Sequence, residues 1–386
     1  MVTPLDPRAT GVADYSLDLL PHLARAARAK IHVYSDTVCP SGEGWTWHAA
    51  DELGADAAGH DLIIYQMGNS PAHDFMAPYL FRYPGLVVLH DPYLHDFYVR
   101  RARAGHTSVY VRALGFGYGV EGTALARRYL RNPLPVEYPH YLASEWLAAR
   151  SLGVIVHSQH AADLLGSRCP SARIWAVPHL VHLPPHVMRE TARRQLSIAQ
   201  QDYVIVVFGR IAQSKCPVEI LEALHRLRAD GIPARVVFIG EENSEFRLAP
   251  DIERLGLDHS VTHLGFVSWA VAEHWMFAAD VAVGLRQRYF GETSGAALRI
   301  LATGIPMIVT QVGAFAELPD QVCLKLPFCD PQLEALLAAA LKKLYLDPER
   351  RQAMGKAARE YVASECDPDR IAALYMRVVE AIAGKW

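Results

Sequence analysis

No long hydrophobic run interrupts this sequence. Nowhere do the 386 residues hold the roughly 18–20 uninterrupted apolar positions of a spanning helix, and even Ala335–Leu341 gives way at once to Lys342 and Lys343. The opening residues MVTPLDPRATG lack the charged and apolar regions of a signal peptide, so a cytoplasmic location is expected. An excess of one charge sign is missing too: a formal net charge of −3 excludes a globally basic nucleic-acid binder, and no nucleic-acid partner is expected. Cysteine is sparse. The six (Cys39, Cys169, Cys216, Cys323, Cys329 and Cys366) form no CxxC pair and no metal-ligand spacing, which points to reduced structural thiols.

What is present is an ordinary globular composition, 51% hydrophobic and 20% charged, at a length that suits two domains. Short β-branched runs alternate with amphipathic segments, the pattern of βαβ units in which helices cover both faces of a parallel sheet. In the first half the predicted strands are Ile31–Ser35, Asp61–Gln66, Leu86–His90, Gly153–His157 and Ile174–Val177. The proline-rich, aperiodic stretch Pro178–Met188 reads as a linker. Beyond it, strands are predicted at Tyr203–Phe208, Arg235–Ile239, Ser260–Leu264, Asp280–Gly284, Pro306–Thr310 and Val322–Lys325. A helical tail follows from about Pro331, and Asp367 is placed to cap a last helix ending near Trp386. The expected division is 1–182, 183–365 and a C-terminal helix, 366–386, crossing back to the first domain.

The start is irregular, because only Met1–Thr3 precedes the turn Pro4–Gly11 where a full first strand belongs. A start upstream of Met1 is favoured over a stunted strand, since a gap in the centre of a parallel sheet would leave ladder groups unpaired.

Two segments carry the clearest chemistry. In the first, a buried strand ends in Phe208–Gly209–Arg210 and leads through Lys215 to a helix near Pro217. Gly209 permits close backbone approach, Arg210 offers a planar fork for phosphate oxygens, and Lys215 adds a point charge by a helix N-terminus. Taken alone, the fragment is equally a solvated pair of surface cations. In the second, Gly291–Glu292–Thr293–Ser294–Gly295 opens a helix running to Gly304–Ile305–Pro306. Its amides and positive dipole end suit phosphate and Glu292 suits sugar or ribose hydroxyls, although alone the simpler reading is a Thr293 or Ser294 cap.

FGRIAQSK, GETSGAALRILATGIPMIVTQVGAFAELPD and GVADYS, in this order and spacing, resemble glycosyltransferase family 4 over nearly the whole chain. The resemblance implies an α/β GT-B fold with two Rossmann-like domains facing across a cleft, a nucleotide-sugar donor on the second and retention of anomeric configuration. It implies a saccharide or glycolipid acceptor held largely by the first domain, usually in polysaccharide or glycolipid synthesis. Arg210 and Lys215 then match the cations on the donor diphosphate, with Gly209 in the same turn. Gly291, Glu292, Thr293, Ser294 and Gly295 match the loop facing sugar and phosphates; Gly265, Phe266 and Val267 match the nucleobase segment; Gly11 matches the glycine turn near the diphosphate. The sequence also departs from the pattern: of two glutamates eight apart, the second is Arg299 and the first is displaced to Glu292, a GETSG-type variant. Arg299 cannot accept from ribose hydroxyls, and pairing with Glu292 or reaching phosphate are its alternatives. The one DxD, Asp367–Pro368–Asp369, sits at a helix start, so no catalytic metal and no cofactor are expected.

In the first half, His90–Asp91 ends a strand where α/β sheets bind ligands. His90 is read as donating to the transferred sugar or orienting the acceptor, and Asp91 as fixing its tautomer or acting as acceptor-side base, against a structural pair. His95 and Asp96 are weaker candidates; Asn69 or Ser70 is read as capping the next helix. Gly115–Gly119 is expected to be a mobile acceptor loop rather than a dinucleotide fingerprint. Seven arginines between Arg100 and Arg131 face one acid, Glu121. A solvated helical face is the simpler reading; the other is peripheral contact with an anionic membrane at its inner face. Rival functions are a nucleotide-sugar hydrolase or epimerase and a non-catalytic nucleotide-sugar binder.

Overall fold

The computed structural model describes residues 1–27, 29–131, 141–289 and 291–384. They form two units: Met1–Leu180 with Phe290–Thr293 and Asp367–Trp386, and Val181–Tyr289 with Ser294–Cys366.

Unit one holds strands β1 (Ile31–Ser35), β2 (Trp45–Ala49), β3 (Ile64–Met67), β4 (Leu86–Leu89), β5 (Gly153–Val156) and β6 (Ile174–Ala176), paired in parallel as β1-β2 and β3-β4-β5-β6. The strand β2 went unforeseen although WTWHA alternates apolar and polar residues as a half-buried strand does. The feared central gap is filled by Met1–Thr3. Val2 bridges both Tyr34 and Tyr65. Its N–H donates to Ile64 O at 2.7 Å, Gln66 N–H donates to Val2 O at 2.9 Å, and Tyr34 N–H donates to Met1 O at 2.8 Å. Three residues thus pair the ladder groups on both sides, removing the physical objection to a short first strand.

The expected loop at Gly115–Gly119 is corrected. These residues lie in the helix Thr107–Arg131, broken by a kink at Gly119 with φ 58° and ψ −134°. The kink brings Gly122 onto the Leu114 carbonyl, where a Cβ would come within 2.1 Å. The glycines serve a close helical return, which excludes side chains at the crossing.

Unit two contains β7 (Tyr203–Phe208), β8 (Ala234–Ile239), β9 (Val261–His263), β10 (Val281–Gly284), β11 (Met307–Thr310) and β12 (Cys323–Leu326), all parallel in the order β12-β11-β10-β7-β8-β9. Alternate residues of β7 feed two cores, as a period of two requires. Ile205 and Val207 pack with helices Pro217–Ala229 and Leu333–Leu346, while Val204 and Val206 pack with Trp269–Ala278, Gly295–Thr303 and Pro348–Glu365. Each such side chain, fully buried, stabilises the unit by about 1.5–3 kcal/mol.

Residues 178–188 hold no regular element. The Asp367 carboxylate accepts the Arg370 N–H at 2.8 Å and caps Pro368–Ala383. Ile371, Tyr375 and Val378 of that helix pack against Tyr15, Leu19 and Leu23 of the helix Gly11–Ala27. The expected end near Trp386 lies outside the described residues.

Candidate active site

In unit two the first strand, β7, lies beside the fourth, β10, so the chain winds outward in both directions from their boundary. At such a switch point the loops leaving the carboxyl ends of the two strands part and leave a crevice. After β7, Gly209 takes φ +104°, and a Cβ there would stand 3.0 Å from Lys215 Nζ, so the ammonium lies directly over the glycine. Lys215 ends the turn Gln213–Lys215, and Cys216, in the left-handed region at φ 56°, opens the helix Pro217–Ala229. Burial pushes the Cys216 thiol up to about 12, which keeps it a protonated packing group. Arg210 is exposed.

After β10 comes a cation that local sequence reading missed. The Arg286 N–H donates to Thr310 Oγ1 at 3.0 Å; its guanidinium donates to Ser294 Oγ at 3.4 Å and lies 5.3 Å over the Phe315 ring. Gln287 N–H donates to Ser214 O at 2.8 Å, tying this loop to the turn that holds Lys215. Ser294 Oγ in turn accepts the Ala297 N–H at 3.2 Å, so it caps the helix Gly295–Thr303. The switch point therefore gathers Lys215, Arg286 and two helix N-termini, with Arg210 beside Gly209, a combination that favours a dense negative charge.

Along the neighbouring edge, Gly265 takes φ +66° and its carbonyl accepts the Gly240 N–H at 2.9 Å. Phe266 is 70% exposed, and Val267 is half-buried. The Arg299 guanidinium stands 5.0 Å over the Trp269 ring, itself 5.8 Å from Phe208. Arg299 thus builds a cationic aromatic stack where the resembling pattern has a carboxylate.

Glu292 belongs with unit one, as do Gly291 and Thr293. A Cβ on Gly291 would meet Pro92 Cγ at 2.8 Å, which places this turn on the end of the His90–Pro92 segment. Thr293 Oγ1 is buried without a hydrogen-bond partner among the described residues. Burial, together with the charge of Glu292, raises the Asp91 carboxyl to about 6 even though Asp91 Oδ2 accepts the Asn69 N–H at 2.8 Å.

The His90 tautomer follows from its neighbours. His157 Nδ1 lies 3.0 Å from Val177 O, which can only accept, so His157 carries its proton there. Burial, reinforced by the nearby His157, lowers the His90 pKa and keeps it neutral. His157 Nε2 then accepts from His90 Nδ1–H at 3.1 Å, leaving His90 Nε2 as an acceptor 2.8 Å from the Gln66 amide, whose NH2 must turn toward it. This corrects the expectation that Asp91 fixes the tautomer: His157 does.

Asn69 caps, but not the helix that follows it. Its Oδ1 accepts Phe97 N–H at 3.0 Å, at the start of the helix His95–Arg101, and its Nδ2 donates to Asp96 Oδ2 at 3.0 Å. Ser70 Oγ meets His73 Nδ1 at 3.0 Å. His95 is buried, bonded through Nε2 to the Tyr141 carbonyl and depressed by burial to about 4, a packing group. Gly11 starts the helix Gly11–Ala27 and is exposed. Asp367 is a cap, and Asp369 Oδ1 is bonded to His22 and Arg25.

Residues 188–361 match the family model described as glycosyl transferases group 1, a stretch that lies in unit two except for the turn at 290–293. A 2-deoxystreptamine glucosyltransferase from Streptomyces kanamyceticus is 24% identical over 260 residues, covering 65% of this chain and 66% of that protein's length. Sucrose-phosphate synthase from Thermosynechococcus elongatus superimposes at a TM-score of 0.70 with 16% identity, over 100% of this chain and 98% of that one. Anabaena HepE, solved in complex with UDP, does so at 0.62 with 17% identity, over 98% of each chain. The fold is thus GT-B, and with the matching domain it makes the chain an enzyme of the glycosyltransferase kind.

Proposed function

We propose that this enzyme transfers a sugar, with retention of configuration, from a UDP-sugar on unit two to a saccharide or lipid-linked acceptor on unit one. The observation that carries the reading is the cationic switch point between β7 and β10. There Lys215, Arg286 and Arg210 neutralise the diphosphate as it departs, the dominant electrostatic contribution to such a reaction. The UDP bound to HepE supports uridine as the nucleoside, and Phe266, Gly265 and the Arg299–Trp269 stack supply a face for base and ribose. Asp91, ionised above about pH 6, accepts from an acceptor hydroxyl next to the one that attacks, and His90 is held in place beside it. No residue at the site is cast as a covalent nucleophile, so front-face attack, with the leaving phosphate taking the acceptor proton, is the retaining route.

A peripheral membrane contact belongs to the same proposal. The kinked helix Thr107–Arg131 bounds a groove of about 990 Å³ in which Phe116 and Val120, 53% and 88% exposed, stand among Arg112, Arg127 and Arg131. Exposed apolar tips ringed by cations suit an anionic bilayer surface. No helix among the described residues is long and apolar enough to span one.

Following UDP-sugar consumption with and without cell-derived acceptor separates the functions. Transfer predicts consumption that depends on acceptor. Equal consumption without acceptor would mark a hydrolase, and binding without turnover a silent binder.

A further inference from the structure

A second polar cluster in unit one takes no part in the chemistry above. Tyr34 on β1 pairs in register with His48 on β2, and His32, two residues before Tyr34, shares its face. The helical pieces Ala50–Glu52, Leu53–Asp56 and Ala57–Gly59 then bring Glu52, Asp56 and the following His60 to the same cluster. One ligand atom each from His48, Glu52 and Asp56 lie within 4.8 Å of one another. The i, i+4 spacing of Glu52 and Asp56 sets two negative charges side by side, an arrangement that costs energy unless a cation joins them.

We propose that His48, Glu52 and Asp56 bind one divalent transition-metal ion of the zinc type. One imidazole nitrogen and two carboxylate oxygens form a mixed donor set that suits zinc, whereas calcium and magnesium prefer oxygen alone. The surroundings supply the outer contacts that such ligands need. His48 Nδ1 faces Glu52 Oε2 at 3.4 Å, while His48 Nε2 lies 2.8 Å from His32 Nδ1. An Nε2–H donated to His32 therefore leaves Nδ1 free to ligate. Asp56 Oδ2 accepts the Tyr34 hydroxyl at 2.9 Å, and the Tyr34 oxygen accepts from His60 Nε2 at 2.7 Å. The ion would tie the end of β2 to the helical turn that follows it.

The test is calorimetric titration of chelator-treated, full-length protein with zinc chloride, and separately with magnesium chloride. The expected result is one zinc per chain and no magnesium binding. His48→Gln and Asp56→Asn should abolish the zinc site, and Tyr34→Phe should weaken it about tenfold. Zinc should raise the melting temperature of the wild type but not of His48→Gln. Circular dichroism of the zinc-free variants establishes that they are folded, and because either substitution suffices, one misfolded variant leaves the other decisive. Absence of zinc binding in the wild type, or zinc binding unchanged in both variants, would overturn the site.

Discussion

The proposed role of Asp91 joins stability to catalysis at a single residue. Its folded pKa, about 6, lies above the ordinary 3.8, so the native state holds the proton to higher pH than the unfolded chain does. The associated stability is present below about pH 4 and is lost as pH rises through 6. Asp91→Asn should therefore flatten the dependence of urea-unfolding stability on pH between 4 and 6 and raise stability at pH 7 by about 3 kcal/mol. It should also remove the rise of kcat/KM for acceptor through pH 6. A variant that kept that rise would show that another group titrates. Arg210 and Lys215 were legible because strand, glycine and cation are contiguous in the chain. Arg286 and His157 were not. Arg286 gains meaning only once β10 is known to lie beside β7, and His157 reaches His90 across 67 residues.

Among the elements, helix ends and buried pairs fix how unit two is built. Arg193, fully buried, donates to the Ala278, Ala199, Gln200 and Asp202 carbonyls and, at 2.6 Å, to Asp280 Oδ2. Arg193→Leu leaves these acceptors short of donors and strands much of a buried charge, so chemical denaturation should report a loss of about 3–5 kcal/mol. In unit one, Asp367→Ala removes a cap and should cost about 1 kcal/mol by the same assay. The strands β4, β5, β7 and β11 were readable because both faces are buried, so each appears as a short apolar run; β7 and β1 carry the expected limits. Besides β2, two elements were hidden for physical reasons. Met1–Thr3 is too short to show a period and is recognisable only by the neighbours it pairs. The glycines of Thr107–Arg131 signal a loop when read locally, whereas here they permit a tight helical crossing that no local rule anticipates.

For the whole molecule, the proposed division of labour gives each unit its own signature. On unit one, the double variant Arg127→Glu, Arg131→Glu should weaken sedimentation with anionic vesicles, by about 1 kcal/mol for each cation removed. Raising the salt concentration should act in the same direction, and neutral vesicles should bind neither protein. Binding that ignores both charge and salt would mean that the arginines form a solvated face only. On unit two a nucleoside diphosphate is proposed to sit where β7 and β10 part. Titration calorimetry with UDP tests it most directly. Arg210→Ala, Lys215→Ala and Arg286→Ala, each folded by circular dichroism, should each weaken UDP by about 1.5–3 kcal/mol, the range for a hydrogen bond to a charged group. UDP affinity unchanged in all three variants would rule out a diphosphate site at this crevice.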